Sequence, residues 1–167
     1  TGSTVGRTRL PWVLAVVLAG VAGISLFFAL RSGDEPKTPP AFRTLNFRRE
    51  TIFRAFFAPD GRTVVYSAAA EGTTPEIFTV RPEYPEPQSI GLPGVHLLAV
   101  SSKGELAVLT KAKYVAHRFF TGTLARVPMG GGAPREILED VREAAWSPDG
   151  TQLAIIRKLG VKDRLEY

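Results

Sequence analysis

Three short segments of this chain end in the same kind of turn, and that recurrence limits the folds open to it more than any other feature. Phe57-Ala58-Pro59-Asp60-Gly61 is echoed by Trp146-Ser147-Pro148-Asp149-Gly150, and Val100-Ser101-Ser102-Lys103-Gly104 holds the same place in reduced form. The three glycines stand 43 and 46 residues apart. Proline presets φ at the first central turn position, Asp suits the second, and Gly accepts a positive φ at the residue that follows. A strand pattern follows each turn, at residues 63–68 (TVVYSA), 105–109 (ELAVL) and 152–156 (QLAII). A third strand is expected at 76–80, 123–127 and 164–167, and a short fourth at 89–92 and 135–138. Gly and Pro recur too often, and apolar residues alternate too regularly, for helices over this stretch.

Four short strands every 40–50 residues or so is the period of a β-propeller blade. The aromatic residue before the turn, Phe57 or Trp146, is then placed to pack between neighbouring blades. Residues 42–47 (FRTLNF) are strand-like and are expected to complete the last blade and close the ring. The expected fold is all-β: a partial propeller of two four-stranded blades and part of a third, over residues 42–167, preceded by a single transmembrane α-helix.

That helix is read from residues 10–30, LPWVLAVVLAGVAGISLFFAL, which carry no charge. Such a run makes about 31 Å of helix, enough for a hydrocarbon core of about 30 Å. It is longer than a signal-peptide core and lacks the polar face of a buried helix. Trp12 and Arg31 suit interfacial anchors, residues 1–9 form the juxtamembrane flank, and the Pro-rich residues 31–41 form a semi-rigid spacer. The expected location is a cell membrane crossed once, with the propeller on the extracytoplasmic, periplasmic side. The basic flanks are nearly balanced and do not fix the orientation. The chain starts at Thr1 without Met and stops at Tyr167 inside a strand pattern, so it reads as a fragment.

The turns resemble the WD40-like, TolB-type propeller repeat, whose hallmark is an aromatic-Ser-Pro-Asp-Gly turn between the first two strands of a blade. Trp146–Gly150 matches in full, Phe57–Gly61 carries Ala58 in the Ser position, and the middle unit keeps Gly104. Helix, spacer and propeller in that order, with LARVPMGGGAPREILEDV at residues 124–141, are similar to the C-terminal half of bacterial receptor-like serine/threonine protein kinases. The resemblance implies an extracytoplasmic sensing or protein-interaction module, with the kinase domain, its ATP and its Mg upstream of Thr1. This chain has no Gly-rich nucleotide loop on a strand, no His-Arg-Asp loop and no Asp-Phe-Gly. A membrane-anchored transcription regulator, a propeller peptidase and a TolB-like envelope scaffold are the alternatives.

No catalytic, cofactor or metal site is expected within the chain. Asp60 and Asp149 are accounted for by their turns. His96 and His117 are the only histidines, on separate segments and without metal-ligand spacing. Gly130-Gly131-Gly132 is followed by Pro134 and a strand, where a phosphate cradle needs a helix N-terminus. There are no cysteines. Of the net charge of +5, Arg7, Arg9 and Arg31 supply the first part, and the remaining 18 basic and 16 acidic residues nearly cancel, so no nucleic-acid surface is expected. Residues 111–120 (KAKYVAHRFF) stand out, because they lengthen the middle blade's connection with basic and aromatic residues. They read first as a solvated hairpin extension. The sharper reading is a contact loop made of Lys111, Lys113, Tyr114, His117, Arg118, Phe119 and Phe120, facing a protein or small-ligand partner. The membrane is the other expected partner, and a homo-oligomer is left open.

Overall fold

The computed structural model describes residues 10–31, 41–117 and 119–167. The chain divides into two compact units, Thr1–Phe42 and Arg43–Tyr167. Residues 1–9, most of the Pro-rich spacer and Arg118 lie outside the described residues.

In the first unit a helix, α1, runs over Leu10–Arg31. The expectation that it spans a membrane is corrected: among the described residues, no helix is long and apolar enough to cross one.

The second unit is all strand and turn. Its strands are β1 (Glu50–Phe57), β2 (Val64–Ala70), β3 (Glu76–Arg81), β4 (Tyr84–Ser89), β5 (His96–Val100), β6 (Glu105–Ala116), β7 (Phe119–Pro128), β8 (Arg135–Trp146), β9 (Leu153–Leu159) and β10 (Lys162–Glu166). They form two antiparallel sheets: the four-stranded β1-β2-β3-β4 is a first meander, and the six-stranded β10-β9-β8-β7-β6-β5 holds a second, β5 to β8, and part of a third, β8 to β10.

The expected division into two four-stranded blades and part of a third is corrected by β8. One continuous strand serves as the outer strand of the second meander and the inner strand of the third. It pairs with β7 through Glu136 and Leu138, and with β9 from Val141 to Trp146. Asp140 takes a positive φ of 60° at the changeover, and the β8–β9 register slips between Val141 and Glu143. The bend re-aims the strand without breaking its ladder.

Two other expectations change. The fourth strand of the first sheet lies at Tyr84–Ser89, earlier than residues 89–92. Pro85 and Pro87 lack a backbone donor, and an edge strand tolerates that. Leu92 goes into the core instead. Residues 42–47 form no strand. The Asn46 carboxamide oxygen accepts the Arg48 N–H at 2.7 Å, a local turn that competes with extended pairing. Leu45 then packs on Tyr66, Ala68, Phe78 and Val80, and the Arg48 guanidinium lies 5.3 Å over the Phe78 ring.

The cores follow from the period of two. Along β6, Leu106 and Val108 point to one side, against Val65, Ile77 and Leu97. Ala107 and Leu109 point to the other, against Leu124, Val141 and Ala144. The middle meander is therefore covered on both faces, which is why its strands read as nearly continuous apolar runs.

Candidate functional site

The three turns share one hydrogen-bond pattern. Gly61, Gly104 and Gly150 each donate to the carbonyl three residues back, at 3.0, 3.0 and 2.8 Å. All three have positive φ, at 65°, 77° and 67°. The middle turn thus keeps the geometry although Pro and Asp are missing from it.

The Asp residues serve their own turns. Asp60 accepts the N–H groups of Arg62 and Thr63 at 2.9 and 2.8 Å and the Thr63 hydroxyl at 2.6 Å. Asp149 accepts the Ser147 and Thr151 hydroxyls at 2.6 and 2.8 Å. These donors stabilise the carboxylates, the Thr63 hydroxyl most for Asp60 and the Ser147 hydroxyl most for Asp149, and hold both at about 2. Pro59 and Pro148 preset the turns. Trp146 packs into the core between the second and third meanders, with the Arg126 guanidinium 5.0 Å over its ring. Phe57, in the equivalent place, is 68% exposed, and its neighbours Phe56 and Ala58 pack in its stead.

The hairpin of residues 111–120 extends β6 and β7 beyond their neighbours. Tyr114 is exposed and His117 stands at the tip with a positive φ of 47°. Lys113 pairs with Thr121 across the ladder. Lys111 binds Glu136 at 2.9 Å, which raises the lysine's pKa and lowers the carboxylate's. Phe120 turns inward. Its ring lies 4.2 Å from that of His96, which in turn lies 4.7 Å from Phe53, and the Tyr114 ring stands 5.8 Å from Phe120.

This aromatic cluster borders a cleft of about 300 Å³, lined by Phe53, Arg54, His96, Leu97, Leu98, Leu109, His117, Phe119, Phe120, Arg142 and Glu143. Phe53, His96 and Arg142 each precede their turn glycine by eight residues, and Arg54, Leu97 and Glu143 precede it by seven. One repeated position, on β1, β5 and β8, therefore brings three chemically different groups to the same place. The pattern of turns places these residues together, and that offset was the signal from which the cleft could have been read. Arg54 forms an ion pair with Glu143, joining the two sheets. Arg142 donates to Asp163 at 2.7 Å, and its guanidinium lies 5.4 Å over Phe119. His96 is 6% exposed, and burial, with the Arg54 charge adding to it, pushes it down to about 4. Its imidazole is neutral near pH 7.

A second cavity, of about 740 Å³, shares Arg54 and Glu143 as a wall and continues over the apolar face formed by Ala145, Ala154, Ile156 and Leu165. It is larger, but few polar groups converge on it, and it lies away from the aromatic cluster. Among the described residues no cluster of His, Asp and Glu is arranged to hold a metal ion.

No protein-family model matches this chain, and no curated protein matches it. Solved structures do. TolB from Acinetobacter baumannii superposes with a TM-score of 0.56 at 14% identity, over 74% of this chain and 31% of TolB. An oligogalacturonate lyase from Vibrio parahaemolyticus gives a TM-score of 0.56 at 10% identity, over 77% of this chain and 39% of the lyase. At these identities the likeness is one of fold, and the fold is that of a β-propeller. The chain spans 31% of the length of the first of these neighbours and 39% of the second.

Proposed function

We propose that this chain is a binding module, a sensing or protein-interaction surface carried on a propeller, and that the cleft between Phe53, His96, Phe120 and Arg142 is its recognition site. One observation supports this reading above the others. A repeated strand position delivers an aromatic ring, a buried imidazole and a guanidinium to one cleft, beside a hairpin that extends past its sheet with exposed Tyr114 and Phe119. A rigid scaffold with varied side chains at equivalent positions is how repeat folds build binding sites. A fragment library screened by NMR tests it. Hits should shift the amides of Phe53, His96, Phe120 and Arg142. Hits confined to the apolar face around Ile156 and Leu165 would move the site there and overturn the reading.

The resemblance to receptor-like serine/threonine kinases extends the proposal to a sensor for such a kinase. What supports that extension is the order of helix, Pro-rich spacer and propeller, together with residues 124–141. Phe120→Ala in the full-length protein should change autophosphorylation in response to a ligand. Unchanged kinase output with ligand binding lost would remove the kinase link and leave the cleft standing.

A further inference from the structure

We infer that the cleft receives a carboxylate carried on an apolar body, and that Arg142 is the residue that holds the carboxylate. The inference rests on the cleft being a binding site, and it adds the chemistry of the ligand.

The walls divide into two parts. Leu97, Leu98, Leu109, Phe53 and Phe120 offer hydrocarbon and ring faces, which favour an apolar body over a hydroxylated one. The charged part is uneven. Arg54 is balanced by Glu143, which also lines the cleft. His96 is neutral, and its imidazole is buried against Phe53 and Phe120. Arg142 is ion-paired with Asp163 at 2.7 Å through one amino nitrogen, and because Asp163 lies outside the lining, the rest of its guanidinium faces no carboxylate of the cleft wall.

The guanidinium of Arg142 is also incompletely used. One amino nitrogen donates to Asp163, and the flat face covers Phe119. The Nε is buried and has no hydrogen-bond partner. Buried donors are nearly always paired, and leaving one unpaired costs about 1–3 kcal/mol. The side of a guanidinium formed by Nε and the neighbouring amino group matches the two oxygens of a carboxylate. A neutral ligand offers Nε and its neighbouring amino group one uncharged acceptor where a carboxylate offers two charged ones, and a purely polar acid would leave the rings without a partner. A volume of about 300 Å³ sits at the small end of ligand sites, suited to one acid group and one ring or branched chain.

The same chemistry has two sources, a free carboxylic acid and an acidic residue flanked by apolar side chains in a partner chain. Titrations of the whole chain, followed by amide NMR and calorimetry, separate them. The probes are phenylpropionate, its neutral amide phenylpropionamide, galacturonate, and an acetylated, amidated tripeptide with one glutamate between two leucines.

Phenylpropionate should shift the amides of Phe53, His96, Phe120 and Arg142 and bind at least about tenfold more tightly than the amide, the worth of one charge-assisted pair. Arg142→Gln should erase that preference, and Arg142→Lys should restore part of it. Tighter binding of the tripeptide than of phenylpropionate assigns the ligand to a partner chain, and the reverse assigns it to a free acid. Equal binding of acid and amide overturns the carboxylate, and galacturonate binding as well as phenylpropionate overturns the apolar body. Either result leaves the cleft as a site, because the shifts still map to it. Absence of shifts at the cleft with every probe, and with the fragment library, removes the site itself. Should Arg142→Gln fail to fold, the acid-to-amide ratio on the native protein decides alone.

Discussion

Gly61 and Gly150 occupy the same position in the repeated turn, yet alanine at the two should have different effects. Both backbones are left-handed, at 65° and 67°, so the conformational cost of a Cβ is shared, and is about 1–2 kcal/mol. The surroundings differ. A Cβ at residue 61 meets nothing within 4 Å, whereas one at residue 150 lies 2.4 Å from the Ser101 hydroxyl and 2.7 Å from that of Ser102. Those hydroxyls join neighbouring turns. Ser102 donates to the Pro148 carbonyl at 3.0 Å and Ser101 to the Gly150 carbonyl at 3.5 Å. Ser101 is 1% exposed and also accepts the Lys103 N–H at 3.0 Å, so it cannot swing aside without leaving that donor unpaired. Losing two such hydrogen bonds adds about 0.5–1.5 kcal/mol each. Gly61→Ala should therefore cost about 1–2 kcal/mol, and Gly150→Ala about 2–5 kcal/mol. Urea denaturation of the whole chain measures both. Combining Gly150→Ala with Ser102→Ala should cost less than the sum of the two changes, since the hydroxyl is already displaced. Equal destabilisation at the two glycines, or strict additivity in the double variant, would refute the argument that neighbouring turns are locked through Gly150.

The remaining predictions follow from the same structure. Gly122→Ala should destabilise the chain by about 1–3 kcal/mol in the same denaturation assay, because its Cβ would lie 2.5 Å from the Thr110 carbonyl oxygen and 3.1 Å from the Leu109 side chain. Phe57→Ser should change stability by no more than about 0.5 kcal/mol, while Trp146→Ala, which opens the packed side of the third meander, should cost about 2–3 kcal/mol; similar losses from the two would contradict the packing described. The pKa of His96 lies below its unfolded value of about 6.5 and near 4 in the fold, so the unfolded chain binds a proton that the folded chain refuses. Stability should fall as pH drops from about 6.5 to 4, with a slope approaching 1.4 kcal/mol per pH unit, and His96→Phe should flatten that slope. Asp60 and Asp149 are held at about 2, so their contribution is present above about 4 and lost as pH falls toward 2, a window below that of His96.

The strands next to the turns were legible because their signals are local. Pro-Asp-Gly sets its own backbone, and alternation over five residues states which side of a strand is apolar. The reduced middle turn at Ser101–Gly104 is legible from the spacing of its glycine and the apolar strand patterns on either side of it. Residues 42–47 were misread because alternation speaks for a strand only when a partner strand is available, and here Asn46 turned the chain back on itself. The fourth strand of the first sheet was placed late, since Pro85 and Pro87 suppress the usual strand composition on an edge that does not need their donors. The membrane reading of residues 10–30 rested on composition, and it is not carried by the described part of α1.

The cleft was the least legible feature. Phe53, His96, Phe120 and Arg142 lie on four strands of two sheets; the first, second and fourth share only their offset from a turn glycine, and Phe120 lies outside that pattern. His96 by itself reads as a stray histidine, and Arg142 as a solvated charge. By itself the sequence determined the turn, its period and the strands beside it, because each depends on neighbours within a few residues. Only the tertiary structure decided that β8 joins two meanders, that Trp146 is packed while Phe57 is bare, and that one repeated position gathers a ring, an imidazole and a guanidinium. Those outcomes depend on which sheet faces which, and that is settled by packing between strands tens of residues apart.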